Sequence, residues 1–198
     1  MEKTGEQLTY MQGGTNVTRM DYLSPLNNEL AFSMAVEKLL GIDGDIPERA
    51  VWMRMLLSEL NRMSSHLLFL ATNGMDIGAV SMMLYGWRER EEVLRFFQKV
   101  TGLRMNHNFI RPGGLAADLP AGWRDDVLDI LEMLPSRLEE YEILMNGQPI
   151  WRERLQGVGV ITAREAMALG TSGPILRSTG VAWDLRKHMP YLHYDQVD

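Results

Sequence analysis

An apolar repeat close to 3.6 residues constrains this chain more than any other feature. It runs through Val51, Met55, Leu56, Leu60, Met63, Leu67 and Leu70. That spacing places one apolar stripe along a single long helix, which must be buried against other helices. Asp45-Ile46-Pro47 precedes it, and proline is tolerated in a first helical turn. The spacing predicts a helix from Pro47 to about Thr72, broken at Asn73-Gly74. Ser24-Pro25 reads as an N-cap followed by a first-turn proline. Leu30, Met34, Ala35 and Leu39 then carry a second helix to Gly41. Asp76 is placed to cap a third, running to about Val100. Its charged run Arg88-Glu89-Arg90-Glu91-Glu92 is expected to be a solvated face. A fourth covers Trp123 to about Met145, with a kink or break at Pro135.

Between these helices lie long irregular stretches. Residues 1–23 read as loop with one short helix. Leu103 to Gly122 lacks any period and holds Pro112, Gly113, Gly114 and Pro120. Gly157 to Thr162 is a short apolar run with strand character, and Ala163 to Leu169 a short helix. The tail from Gly170 is loop-rich. The expected class is mainly α with long ordered loops, where function tends to concentrate.

Composition excludes several chemistries. The 198 residues contain no cysteine, so no disulfide, Cys-ligated zinc or iron–sulfur cluster can form within them. A net charge of −6 does not favour nucleic acid. No apolar run reaches the roughly 18 residues a transmembrane helix needs, and the polar start is no signal peptide. There is no phosphate-binding glycine loop, dinucleotide fingerprint, His-Glu-x-x-His or nucleophile elbow. His66, His107, His188 and His193 lack metal-ligand spacing and read as structural. Fifteen methionines suit either core filling or an adaptable wall around a greasy ligand.

Five segments carry the functional reading, in this order: Arg19-Met20-Asp21-Tyr22-Leu23, Ala35-Val36-Glu37-Lys38-Leu39-Leu40, Met75-Asp76-Ile77-Gly78-Ala79, Phe109-Ile110-Arg111-Pro112-Gly113-Gly114 and Trp183-Asp184-Leu185-Arg186-Lys187. Together they resemble the 49 kDa-type, quinone-site subunit of proton-translocating NADH:quinone oxidoreductase (respiratory complex I). The resemblance covers essentially the whole chain. It implies a helical core like that of the nickel–iron hydrogenase large subunit. In those enzymes a metal-binding Cys-x-x-Cys lies where this chain has Asp21 and Ser24, and oxygen ligands do not replace two soft thiolates.

The resemblance also assigns roles. Tyr22 is expected to reach into a quinone cavity and hydrogen-bond a headgroup carbonyl. Asp76 is expected to contact a histidine of an upstream β-rich hairpin, favouring its imidazolium. Arg111, Arg177, Arg186 and Lys187 are expected to hold charged loops with carboxylate partners and to face the neighbouring iron–sulfur subunit. Quinone is then the substrate, with NAD, FMN and iron–sulfur clusters carried by partner subunits. The chain would sit peripherally on the cytoplasmic side of the cell membrane. It is expected to be the central helical part of a longer subunit, lacking the β-rich region and the C-terminal segment, and inactive alone. The competing readings are a subunit of a hydrogenase-like or ferredoxin-linked membrane complex, and a non-catalytic docking scaffold. The Tyr22 and Asp76 loops are expected to meet at the end of one apolar crevice.

Overall fold

A computed structural model describes residues 1–197, which divide into two units, Met1–Trp151 and a second beginning at Arg152. The first unit is helical throughout except for one hairpin. In chain order it contains α1 (Glu2–Gly5), α2 (Tyr10–Val17), α3 (Pro25–Leu40), α4 (Glu48–Ile77) and α5 (Met82–Thr101). Then come β1 (Ile110–Arg111), β2 (Gly114–Leu115) and α6 (Trp123–Leu144). Helix α7 (Pro149–Leu155) carries the chain into the second unit. There α8 (Ala163–Ala168), α9 (Gly173–Ser178), α10 (Leu185–His188) and a 3-10 turn (Tyr194–Gln196) are all short. The chain is therefore mainly α, as the periodicity requires.

The long repeat makes α4, which packs most extensively against α5 and also against α3. Its 30 residues run straight through Asn73 and Gly74, so the expected break is absent. The glycine there serves packing. A Cβ on Gly74 would lie 2.8 Å from the Cβ of Met82, which is fully buried at the start of α5. The helix stops instead at Gly78, whose φ of 108° is open to glycine. Asp76 consequently lies in the last turn of α4 and caps nothing, and α5 begins at Met82.

Gly86 sets the closest approach of the two helices. A Cβ there would stand 2.7 Å from both the Leu67 carbonyl oxygen and the Ala71 Cβ. The charged run on α5 is also not the solvated face it resembles, since Glu89 and Arg90 are buried. Glu89 accepts from Arg88 at 2.5 Å and from the Tyr141 hydroxyl of α6. Arg90 donates from Nη1 to the Ser64 carbonyl and hydroxyl, at 2.8 and 2.7 Å. Period alone shows neither of these inter-helix bonds.

Pro135 does not break α6. It removes the hydrogen bond to the Leu131 carbonyl, but Leu131 and Pro135 both face outward, where solvent can take that bond. Residues 1–23 form two short helices rather than one. The second, α2, is closed by a capping box between Thr9 and Gln12. The expected loop 103–122 contains the hairpin β1–β2, in which Arg111 pairs with Gly114 around Pro112-Gly113. In the second unit, Gly157–Thr162 forms no strand. Thr162 and Glu165 make a capping box for α8, and the tail is a series of short helical turns. Among the described residues no helix is long and apolar enough to cross a membrane.

The hairpin is attached to α3 through buried charge. Glu37 takes bonds from Arg54 of α4 at 2.5 and 3.0 Å, and from the Gly113 N–H at 2.8 Å. Arg54 in turn donates to the Arg111 carbonyl at 2.8 Å and the Gly114 carbonyl at 3.0 Å. Both side chains are almost wholly enclosed, at 1% and 3% exposure. Removing one member of such a pair strands the other in a low-dielectric interior.

Two outcomes are expected. Arg54→Met should cost about 3–5 kcal/mol in urea unfolding, and the double change Arg54→Met, Glu37→Leu clearly less than the sum of the single changes. Gly86→Val should overpack the α4–α5 contact and cost about 1–3 kcal/mol by the same measurement.

Candidate functional site

The turn before α3 is built to hold one side chain outward. Ser24 stands at the N-cap position, yet its hydroxyl caps nothing. Buried Asn61 of α4 does that work from outside the helix. Its Oδ1 accepts from the Leu26 N–H at 2.9 Å and its Nδ2 donates to the Leu23 carbonyl at 3.0 Å. Within the turn, Asp21 Oδ1 accepts from the Leu23 N–H at 3.1 Å, and Asn28 Nδ2 donates to the Asp21 carbonyl at 2.9 Å. Four bonds thus pin the backbone on both sides of Tyr22, which is itself 62% exposed. Its hydroxyl has no hydrogen-bond partner among the described residues. Such a phenol can donate to an acceptor without first breaking a bond.

Asp76 is likewise exposed and, among the described residues, has neither an ion-pair nor a hydrogen-bond partner. The next residue, Ile77, lines a crevice of ≈ 340 Å³ together with Ala79, Leu144, Ile150 and Trp151, and Asp76 itself is not part of its wall. The phenol and the carboxylate are not in contact. Asn61, which anchors the Tyr22 turn, precedes Asp76 on α4 by fifteen residues, or about 22 Å of helix. The expected meeting of the two loops in one crevice does not occur in this chain. The methionines divide between interior and surface. Met53, Met55, Met82 and Met145 are core, while Met20 and Met75 are exposed next to Tyr22 and Asp76.

The segment leading into the hairpin is the most constrained polar region. Buried Glu29 of α3 accepts from the N–H groups of Asn108, Phe109 and Ile110 at 2.6, 2.8 and 3.0 Å, and from the Thr18 hydroxyl at 2.7 Å. Burial raises its carboxyl pKa, and the four donors offset only part of that rise. All four partners donate, so the ionised form is the one the site satisfies. Asn106 and Asn108 hold left-handed backbone, at φ 55° and 47°, which asparagine tolerates better than most residues. Gly14 of α2 lets this segment in, because a Cβ there would meet Asn108 Oδ1. None of this was visible as a motif, although Glu29 and Glu37 at i and i+8 lie on one helix face.

His107, between those asparagines, is 5% exposed and packs edge-on against Phe97 at 5.0 Å. Its Nε2 lies 3.1 Å from the Arg104 carbonyl, and its Nδ1 is buried without a partner. Burial lowers its pKa to about 4 despite that carbonyl.

The basic positions divide. Arg186 pairs with Asp184 at 2.8 Å, and Asp184 also accepts from the Arg186 N–H at 2.9 Å. The guanidinium holds that carboxyl well below the usual range. Exposed Arg177 donates to the Trp183 carbonyl at 3.3 Å, and Trp183 stacks on His188 at 4.5 Å. Arg111 donates to the Asn108 carbonyl at 2.9 Å rather than to a carboxylate. Lys187 is exposed and has no carboxylate partner among the described residues. The expectation of carboxylate partners thus holds for Arg186; Arg177 acts on the same Asp184 through its charge without a direct bond, and Arg111 and Lys187 have no carboxylate partner among the described residues. No cluster of three or more His, Asp or Glu among the described residues could hold a metal ion.

The fold defines the class: a mainly α scaffold, with Tyr22 and Asp76 exposed and unbonded among the described residues. Similarity to known proteins gives the particular family. The family model described as "Respiratory-chain NADH dehydrogenase, 49 Kd subunit" matches residues 76–198. Over all 198 residues the chain is 56% identical to a D-type NADH-quinone oxidoreductase subunit of Salinispora arenicola and 57% identical to that of Mycolicibacterium smegmatis. The relative from Acidothermus cellulolyticus is 54% identical. The chain belongs to the family of the 49 Kd subunit of respiratory-chain NADH dehydrogenase. It spans about 45% of the length of these relatives while being covered completely by each.

The sign of the His107 shift gives a prediction. Its folded pKa, about 4, lies below the ordinary 6.5. Between those values the unfolded chain binds a proton that the folded chain refuses. Stability is therefore full above pH 6.5 and falls as pH drops to 4, by about 3 kcal/mol in all. His107→Gln should flatten that part of the curve when unfolding is followed at pH 7, 5.5 and 4. An unchanged slope would show that His107 takes up its proton as readily in the fold as in the unfolded chain.

Proposed function

We propose that this chain forms part of the quinone-reduction site of an NADH:quinone oxidoreductase. In this reading electrons arrive from an iron–sulfur cluster in a neighbouring subunit and pass to quinone, coupled to proton translocation by the whole complex. NAD, FMN and the clusters belong to partner subunits, and the assembly lies on the cytoplasmic face of the cell membrane.

The observation that carries the proposal is the Tyr22 turn. Its backbone is fixed from both sides, while its hydroxyl has no partner among the described residues. That arrangement suits a donor waiting for a carbonyl oxygen, since little ordering entropy is left to lose when the headgroup binds. Asp76, exposed in the last turn of α4, is available to a residue brought by another part of the subunit. A carboxylate there would favour an imidazolium and so a proton source for reduced quinone. Because Tyr22 and Asp76 do not touch, the proposal gives them separate tasks: the phenol orients the headgroup and the carboxylate holds its proton-donating partner. Asp21 Oδ1 is engaged in the turn itself. This use of an oxygen side chain speaks for quinone chemistry over a hydrogenase-like metal centre at this position.

Tyr22→Phe removes one hydroxyl and keeps the ring. In the intact complex it should lower NADH-driven quinone reduction at least ten-fold while leaving NADH oxidation by ferricyanide unchanged. Normal quinone reduction in that variant would remove Tyr22 from the site. Loss of both activities would point to failed assembly, which the subunit content of the purified complex would show.

A further inference from the structure

Helix α6 has two apolar faces, and only one is covered. Val127, Ile130 and Tyr141 are buried on the side that packs against α5. Leu128, Leu131, Pro135 and Leu138 lie on the outer side. Their spacings of three, four and three are those of the a and d positions of a heptad. The three leucines are 50%, 46% and 44% exposed, which is not how a solvent-facing helix surface is usually composed.

The charge beside this seam is one-sided. Asp125, Glu132 and Glu139 recur every seven residues at the adjoining e positions. They are exposed and make no ion pair among the described residues. Toward α5, Asp126 pairs with Lys99 at 2.5 Å and Glu140 with Arg88 at 2.6 Å, while Asp129, which lines the same α5–α6 groove, makes no ion pair among the described residues. Pro135 has no N–H, so the Leu131 carbonyl in mid-seam receives no i+4 bond and can accept from outside the helix. Polar Arg124 and Glu142 occupy the next seam positions and end it. The apolar length is about 16 Å, too short to hold a free helix by itself.

We propose that the outer face of α6 docks a helix of a partner subunit whose own apolar stripe is flanked by lysine or arginine. The leucines require an apolar stripe, and the unpaired e-position acids require basic flanks. An anionic membrane surface would be repelled by the same acids. An antiparallel second copy would set these acids against one another. The short seam fits a partner held by further contacts in an assembly.

The test places a photoreactive benzoylphenylalanine at Leu131 or Leu138 in the assembled complex and identifies the adduct by mass spectrometry. The expected product joins this position to a segment of another subunit with apolar residues at heptad spacing and Lys or Arg beside them. The pair Glu132→Lys, Glu139→Lys should cut adduct yield at least ten-fold, and Glu132→Gln, Glu139→Gln should cut it by less, with complex assembly retained in the Gln variant. Lipid adducts, adducts to a second copy, adducts to another segment of the same subunit, adducts to a segment without basic flanks, or no adduct at either site would overturn the proposal. So would a yield that neither charge change alters.

Discussion

The buried pair between Glu37 and Arg54 organises the first unit. Each long helix could form from its own apolar period, but the period does not say where a hairpin of four strand residues should sit. Glu37 and Arg54 decide that by using nearly all their polar atoms on it. Glu29, two turns earlier on α3, does the same for the segment entering the hairpin. Two carboxylates on one helix face, with Arg54, therefore fasten backbone N–H and C=O groups of residues 108–114 that would otherwise lack these partners. An interior built this way is specific rather than cheap, since each charge is tolerable only while all its partners are present.

Rigid attachment of loops is what a contributed site needs. Tyr22 is held by the same logic, with Asn61 substituting for a local helix cap. The groups that complete bonds inside the fold are buried, and those with a proposed task in a larger assembly stand exposed. Along α6, Asp126 and Glu140 are paired with α5, while Asp125, Glu132 and Glu139 on the outer side are not.

Helix existence was legible from the sequence, and helix ends were less so. Gly41 and Gly102 terminate α3 and α5 in left-handed conformation, as end signals should. Gly74 carried the same signal and meant something else, because its missing Cβ makes room for Met82. Local sequence cannot separate a glycine needed for φ from one needed for space. The run Arg88–Glu92 misled for a related reason. Charges look solvated until the groups that hydrogen-bond them, Tyr141 and Ser64, arrive from other helices.

For the site, resemblance selected Tyr22, Asp76 and the basic positions, and it covers the whole chain. What it could not supply was geometry. The sequence by itself determined that the chain is helical, free of thiol chemistry and a member of this family, because apolar period, composition and ordered motifs are local or additive properties. Only the tertiary structure decided that Tyr22 and Asp76 stand apart, that Glu29 and Glu37 hold the hairpin, and that Arg111 binds a carbonyl instead of a carboxylate. Those outcomes depend on which groups meet across tens of residues, and burial sets the cost of leaving any of them unpaired.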